Sequence, residues 1–592
     1  MSLRPDNPLL VQSDRSLMLH TVRTLVDTKG HPVRDAEGQP RTEEHPRFAA
    51  ARDALAAFAE LEKSPDYLHT YRITPVSVWN AAALGLTAEK IAATLEEYSC
   101  VPVPRRVIED VRGWIARYGQ LKIERRARPD GGEAFELVSN SPDALADVLG
   151  HGAVRELCSI DAERRVWVDA LQRGSIKQAL IKLGYPVEDR GGYLRGDALD
   201  IPLRSRTRAG RAFEARPYQR MAADAFHAGG SVAGGNGVIV LPCGAGKTVV
   251  GLCVMNLVGA KTLVLTTNTV AVRQWREELL DKTGLRPEDV GEYTGDSKTV
   301  APVTITTYQM LTWRRSKSDV FEHFELFSKQ NWGLVVYDEV HLLPAPVFRA
   351  TADLQARRRL GLTATLVRED GKEDEVFCLI GPKRFDMPWK VLEGQGFIAT
   401  AICTEVRVPL DPTHKASYQS AGARAKFRVA SENPAKFAVV ERILDKHKGA
   451  HILIIGQYIE QLVALSKRIG APLITGKTPN AEREKLYAQF KSGALAVLIV
   501  SKVGNFAIDL PEANVAIQIS GTFGSRQEEA QRLGRILRPK SDGSAAAFYS
   551  VVTLGSRDQE FSEKRQLFLT EQGYSYEIVE ASAYQSPTEP VS

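Results

Sequence analysis

Gly244-Ala245-Gly246-Lys247-Thr248 is the stretch whose residue types and spacing most directly promise chemistry. The apolar, β-branched run Gly237 to Leu241 feeds it, and an apolar helical pattern follows. Strand, glycine loop and helix in that order have the grammar of a phosphate-binding P-loop. Small residues let successive backbone N–H groups turn inward onto phosphate oxygens. Lys247 would reach the β- and γ-phosphates of ATP, and the Thr248 hydroxyl would hold Mg²⁺. The strict pattern wants Gly five residues before Gly246, where this chain has Leu241. A glycine-rich turn with a surface lysine is the rival reading of the loop alone.

Two further stretches answer it. Asp338-Glu339-Val340-His341 follows the apolar run Gly333 to Tyr337, and a strand end is where an open α/β sheet presents ligands. Asp338 would hold Mg²⁺, and Glu339 would orient and deprotonate an attacking water. An acidic pair at a strand end is often only solvated, but this one lies in order after a Gly-Lys-Thr loop. Gln531-Arg532-Leu533-Gly534-Arg535-Ile536-Leu537-Arg538 reads Q-x-x-G-R-x-x-R. Arg535 and Arg538, three apart, share a helical face. They would meet the γ-phosphate as arginine fingers, worth roughly 10³–10⁵ in rate, or about 4–7 kcal/mol. A surface ion pair is worth only about 0–1 kcal/mol. A solvated basic helix would explain these charges but not Gln531 and Gly534. Arg216-Pro217-Tyr218-Gln219 precedes the loop. Gln219 can hydrogen-bond an adenine edge with both donor and acceptor, and Arg216 is grouped with it as a nucleotide contact.

The elements that must position these residues alternate between strand and helix patterns. Candidate strands are Val238–Leu241, Leu263–Thr266, Val303–Thr306, Leu334–Tyr337 and Leu360–Leu362, then Ile452–Ile455, Pro472–Ile474, Val497–Val500, Val515–Ile519 and Ala546–Val551. Near-continuous apolar strands separated by helices imply parallel sheets covered on both faces. The fold class is therefore α/β, with two tandem parallel-sheet lobes. A small α+β N-terminal region precedes them. Within it, three helical patterns and a candidate hairpin (Leu121–Glu124 with Ala134–Val138) suggest a winged-helix-like part. That part is either a DNA or partner-binding module or a packing module. The expected division is 1–70, strands and a helix; 71–150, winged-helix-like; 151–205, a separate small unit; 206–395 and 396–580, the two lobes; 581–592, a disordered tail. Arg204, Arg206, Arg208 and Arg211 form a basic linker, either a solvated hinge or a phosphate contact.

At 592 residues the chain has room for several domains, and its composition, 43% hydrophobic and 25% charged, is that of a soluble globular protein. A formal net charge of +5 is mild, so any nucleic-acid footprint would be a local patch. The six cysteines form no CxxC, which argues against an iron–sulfur cluster and fits a reducing cytosol. No secretory h-region precedes Asp14, and the run Val249 to Ala260 is too short to span a bilayer.

As a set, these motifs resemble the superfamily 2 helicases, and in finer wording the XPB-type DNA helicases in their short microbial form. The resemblance rests on Leu241-Pro242-Cys243-Gly244-Ala245-Gly246-Lys247, Asp338-Glu339-Val340-His341 and Gly361-Leu362-Thr363-Ala364-Thr365-Leu366-Val367-Arg368-Glu369-Asp370. Asp509-Leu510-Pro511-Glu512-Ala513-Asn514 and Glu529-Ala530-Gln531-Arg532-Leu533-Gly534-Arg535 extend it into the second lobe. It is dense from Arg216 to about Val579 and looser through the N-terminal third.

The resemblance implies two RecA-like lobes and ATP-dependent DNA unwinding with 3′–5′ polarity, in DNA repair. Thr363-Ala364-Thr365 would couple hydrolysis to lobe movement, and Arg368, Glu369 and Asp370 would assist duplex opening. Thr266, Thr267, Asn268, Thr306, Thr307, Tyr308 and Ser501 match positions that hold the DNA backbone, and Asp509 joins the nucleotide set. A damage-recognition domain would map onto 151–205, and a short thumb onto 411–433. The implied partners are single-stranded DNA and single/double-strand junctions, with no membrane. Archaeal relatives have a nuclease partner, though no residue here demands one. The expected location is cytoplasmic, at the nucleoid in a bacterium. After Gly504 the family usually continues with polar residues, where this chain has Asn505-Phe506-Ala507-Ile508. A duplex translocase, an ATP-switched DNA-binding scaffold and an RNA remodeller are the rival functions.

Overall fold

Thr262-Leu263-Val264-Leu265-Thr266 is buried at every position, as a strand with neighbours on both sides and helices on both faces must be. The structure, a computed structural model, describes residues 4, 6–27, 31–35, 38, 40–63, 67–83, 85–127, 133–168, 172–189, 196–230, 234–242, 244–313, 323, 330–342, 358–364, 376, 379–381, 383–501, 513–521, 545–571 and 574–584. The chain divides into two compact units, Met1–Val240 with Gly246–Asp386, and Leu241–Ala245 with Met387–Ser592.

In the first unit, that strand belongs to a seven-stranded sheet. Its strands are β1 (Asn236–Val240), β2 (Thr262–Thr266), β3 (Val290–Tyr293), β4 (Val303–Thr307), β5 (Leu334–Asp338), β6 (Arg358–Thr363) and β7 (Lys383–Asp386). They run parallel in the order β3-β4-β2-β5-β6-β1-β7. Helices α1 (Pro217–His227), α2 (Lys247–Val258), α3 (Thr269–Lys282) and α4 (Tyr308–Leu311) serve it. In the second unit the strands are β8 (Ala401–Val408), β9 (Ile452–Ile455), β10 (Leu473–Ile474), β11 (Val497–Val500), β12 (Val515–Gln518), β13 (Ala546–Thr553) and β14 (Ser575–Glu580). They too are parallel, in the order β10-β11-β9-β12-β13-β8-β14. Counted within its own lobe, each sheet therefore reads third, fourth, second, fifth, sixth, first, seventh. The identical order makes the lobes two copies of one RecA-like plan.

The N-terminal third groups its residues differently from the division at 70/71 and 150/151. Strands Leu9–Val11, Ser16–His20, Leu68–Arg72 and Glu60–Lys63 form an antiparallel sheet. Helices Ala88–Tyr98 and Arg105–Arg117 pack onto it, Ile91, Leu95, Val107 and Val111 sharing a core with Leu9, Leu17 and Tyr71. The hairpin Leu121–Ala127 with Glu133–Ser139 joins a different sheet, in the order Val187–Asp189, Leu121–Ala127, Glu133–Ser139, Val166–Val168, Ser159–Ile160. Its core combines Ile123 and Leu137 with Val154, Val166, Ile176 and Leu180. Helices and hairpin thus bury their apolar faces in separate cores, so the expected winged-helix-like grouping is not the one the packing makes. Val76 and Trp79 enter the buried cluster of the first lobe together with Val335, Tyr337 and Ile380. The basic linker lies along that lobe, where the Arg204 guanidinium donates to the Thr283 carbonyl at 2.5 Å.

The expected thumb at 411–433 holds two short helices, Lys415–Ser420 and Ala423–Ser431. The tail expected to be disordered from 581 keeps a helical turn at Ala581–Tyr584. The Tyr584 ring meets Tyr549 edge-on at 6.3 Å and takes the Lys446 ammonium at 5.6 Å, so aromatic and cation–π contacts anchor this turn. No helix among the described residues is long and apolar enough to cross a membrane.

Candidate nucleotide site

The P-loop turns because two of its glycines take backbone angles that a side chain resists. Gly244 has φ 81° and Gly246 φ 78°, in the left-handed region. Gly246 then caps α2, whose first two residues are Lys247 and Thr248. That order aims the helix N-terminus and the lysine at one point. Between the glycines Ala245 is buried, and its N–H donates to the Pro242 carbonyl at 3.2 Å.

Gln219 explains why Gly246 has no Cβ. Its amide Oε1 accepts the Arg216 backbone N–H at 2.9 Å at the start of α1. A Cβ on Gly246 would stand 2.6 Å from Gln219 Nε2. The amide is buried and pinned at its oxygen, so it cannot swing aside without losing that bond. Gly246→Ala is expected to cost about 1–3 kcal/mol in backbone strain and displaced amide. Titration with a non-hydrolysed ATP analogue should show this as an affinity loss of about five- to 150-fold.

Asp338 and Glu339 stand at the carboxyl end of β5, where the register sets Asp338 opposite Leu362 of β6. Glu339 has φ 51°, a left-handed conformation for a residue with a side chain. That turn costs about 1–2 kcal/mol. The carboxylate it carries lies with Oε1 3.4 Å from Lys247 Nζ. The lysine that would bind a phosphate thus rests on the carboxylate that would activate water. Glu339 Oε2 lies 3.5 Å from His341 Nδ1, and the same nitrogen lies 2.6 Å from the Thr363 hydroxyl. His341 and Thr363 are both buried. Lys247, Glu339, His341 and Thr363 therefore form a contiguous polar chain across α2, the end of β5 and the end of β6.

Asp338 is held from two sides. The indole N–H of Trp275, on α3, donates to its Oδ2 at 2.9 Å. The Tyr308 hydroxyl donates to its backbone carbonyl at 2.8 Å. Burial, and then the neighbouring Glu339 charge, push the Asp338 carboxyl up to about 6, against the pull of the Trp275 hydrogen bond and Lys247. The same burial raises the Tyr308 phenol well above its ordinary range. The Asp338 carboxylate, with the Thr248 hydroxyl and the phosphates of a bound nucleotide, would supply oxygens of the kind Mg²⁺ takes, since Mg²⁺ commonly takes one or two carboxylates and keeps its other oxygens from phosphate and water. Among the described residues no three His, Cys, Asp or Glu side chains form a metal cage.

In the first unit, Thr266, Thr267, Asn268, Thr306 and Thr307 gather at neighbouring strand ends, with Thr266 of β2 paired to Thr307 of β4. Their hydroxyls turn inward. Thr266 Oγ1 donates to the Asn268 and Thr306 carbonyls at 3.2 and 3.3 Å, and Thr306 Oγ1 to the Tyr293 carbonyl at 2.7 Å. Thr307 Oγ1 caps α4 by accepting the Met310 N–H at 3.3 Å. Asn268 Oδ1 caps α3 by accepting the Val270 and Ala271 N–H groups, each at 3.0 Å. Thr267 and Asn268 remain half-buried. Ser501, buried just beyond β11, donates its N–H to the Ile474 carbonyl at 2.9 Å. Thr365, Arg368, Glu369, Asp370, Asp509, Gln531, Arg535 and Arg538 lie outside the described residues. Sequence reasoning gave no role to Trp275 or His341, and it put Tyr308 with the DNA-backbone positions, whereas its hydroxyl is on the Asp338 carbonyl. Trp275 sits 63 residues from its partner in the chain, so no local spacing could have shown the pair.

Comparison with known proteins agrees with this architecture. The family described as "ERCC3/RAD25/XPB C-terminal helicase" matches residues 392–591. "Type III restriction enzyme, res subunit" matches 212–368, and "Helicase conserved C-terminal domain" matches 41–162. A "DNA 3'-5' helicase XPB" of Kineococcus radiotolerans is 49% identical over 577 residues, covering 97% of each chain. One of Mycobacterium tuberculosis is 48% identical over 584 residues, covering 98% of this chain and 99% of that one. The "General transcription and DNA repair factor IIH helicase/translocase subunit XPB" of Antonospora locustae is 35% identical over 560 residues, 90% of this chain and 78% of its own. With its P-loop, its strand-end acid pair, its two matching lobes and near-complete overlap with these relatives, the chain belongs to the XPB family of helicases.

Proposed function

We propose that this protein is an ATP-driven DNA helicase that tracks 3′ to 5′ along one strand and opens duplex ahead of it, in DNA repair. The observation that carries the reading is the near-full-length match to two proteins named as DNA 3′–5′ helicases. The polar chain from Lys247 to Thr363 supports the chemistry. ATP enters with its adenine edge at Gln219, beside Arg216, and its phosphates over Gly244, Ala245 and Gly246. Lys247 leaves Glu339 for the γ-phosphate and so frees that carboxylate to take a proton from the attacking water. Mg²⁺ is held by Thr248 and Asp338. Gln531, Arg535 and Arg538 meet the γ-phosphate, and Asp509 joins the nucleotide set.

His341 and Thr363 relay the state of Glu339 to the segment after β6, which continues into Thr365 and then Arg368, Glu369 and Asp370 at the duplex fork. The strand-end hydroxyls of Thr266, Thr306 and Thr307 are engaged within the lobe. In lobe 1 we therefore place the DNA-backbone contacts on Thr267, Asn268 and the strand-end amides, with the buried threonines fixing the turn. Ser501 serves the second lobe in the same way. The substrate is single-stranded DNA or a single/double-strand junction, the location cytoplasmic, at the nucleoid in a bacterium. A nuclease partner is compatible with the family and rests on no residue of this chain.

The test is ATP-driven strand displacement on two matched duplexes, one 3′-tailed and one 5′-tailed. Opening of only the 3′-tailed duplex is expected. The relative named as a helicase/translocase favours one second reading, movement along duplex without strand separation. DNA-stimulated ATP turnover with neither duplex opened would establish that reading instead.

A further inference from the structure

Trp275 is buried, 1% exposed, midway along α3, whose N-terminus is capped by Asn268 of the proposed DNA-contact turn. Its indole can donate one hydrogen bond and accept none. That single donor goes to Asp338 Oδ2 at 2.9 Å. The far edge of the ring presses on α2, the helix that begins with Lys247. A Cβ at Gly251 would lie 2.5 Å from Trp275 Cη2, so the missing side chain on α2 is what admits the ring. The indole is thus wedged against the P-loop helix while its N–H fixes one carboxylate oxygen at the end of β5. A buried N–H left without an acceptor costs about 1–3 kcal/mol, which ties the ring's position to that of the carboxylate. Asn268, the cap of α3, stands seven residues before Trp275, two helical turns or about 10 Å along the same face.

We propose that Trp275 is a positioning residue for ATP hydrolysis. Its N–H fixes the Asp338 carboxylate for a divalent cation and makes α3 the rigid link between the Thr267–Asn268 turn and the cation site. This rests on the ATP-hydrolysing reading above. Hydrogen-bond partners of metal-ligating groups are worth about 10–100-fold in metal affinity or activity.

The decisive variant replaces Trp275 with benzothienylalanine, which keeps the ring's shape and puts sulfur in place of N–H. Trp275→Phe is the simpler companion. Three quantities are read on the full-length protein: binding of an ATP analogue in EDTA, Mn²⁺ affinity of the protein–analogue complex by electron paramagnetic resonance, and kcat against KM for ATP. The expected result is unchanged metal-free nucleotide affinity, Mn²⁺ binding weakened about tenfold or more, and a fall in kcat with KM nearly constant. Wild-type Mn²⁺ affinity and kcat in the isostere would overturn the proposal, whatever Trp275→Phe does. If the unaltered protein fails to hydrolyse ATP at all, the proposed function fails instead, and the Mn²⁺ titration still judges Trp275.

Discussion

Glu339→Gln is expected to leave ATP bound and almost unhydrolysed. The substitution keeps the side chain's length and its place 3.4 Å from Lys247 Nζ, and it removes the basic oxygen. General base catalysis contributes roughly 10²–10⁴ in rate, so kcat should fall by that factor, about 3–5 kcal/mol in the barrier. Binding should hold or tighten, because a negative charge no longer faces the γ-phosphate. Steady-state ATP turnover beside analogue binding separates the two effects. Turnover within a few-fold of the unaltered protein would remove Glu339 from the role of base. The same variant belongs in the strand-displacement assay as its inactive control. If DNA remodelling survived there, the nucleotide would be an assembly switch rather than fuel.

The second large effect concerns stability. Lys436 and Asp558 are both buried in the second unit, with Nζ 2.6 Å from Oδ2. The ammonium also donates to the Ile519 carbonyl at 3.0 Å, and the carboxylate accepts the Thr553 N–H at 3.1 Å. These bonds fasten the ends of β12 and β13 to the helix Arg557–Glu571. Burial works to push the Lys436 ammonium down, and the Asp558 charge is the main force against it. Removing one partner strands a charge in the interior at a cost of about 3–5 kcal/mol. Lys436→Met should therefore lower the denaturant midpoint of the second unit markedly. Lys436→Met combined with Asp558→Leu should recover most of the loss, since apolar packing often replaces a buried pair without penalty. A double variant no more stable than the single one would mean that the hydrogen bonds to Ile519 and Thr553, and not the charges, hold this corner.

Both lobes were legible because their inner strands are apolar runs bracketed by helices. The strands that escaped notice are those with polar residues for a physical reason. Lys383–Asp386 and Ser575–Glu580 are edge strands, paired on one side only, and can keep polar side chains. Val290–Tyr293, the opposite edge, is short and interrupted by Gly291. Ala401–Val408 lies between two neighbours yet carries Glu405, fully buried. That carboxylate is satisfied by the Ser562 and Tyr576 hydroxyls and Arg407, partners as distant as 171 positions along the chain. The candidate nucleotide site was legible as residues where its parts are contiguous, as in Gly246-Lys247-Thr248 and Asp338-Glu339. The directions of the Thr266, Thr306 and Thr307 hydroxyls were not, because they follow from which carbonyl the fold brings alongside.

The N-terminal hairpin has a consequence for where this chain can be divided. Because Glu133–Ser139 pairs with Val166–Val168, and Leu121–Ala127 with Val187–Asp189, residues 121–189 close one sheet on themselves. A recombination event that cut the gene near codon 150 would hand each daughter an unfinished sheet with an unpaired edge. A cut near codon 119, where Gly119 takes φ 76° at the end of the preceding helix, would pass the whole sheet on intact. The portable piece for domain grafting is thus the five-stranded module with its hairpin, and the helices before it stay with the N-terminal sheet.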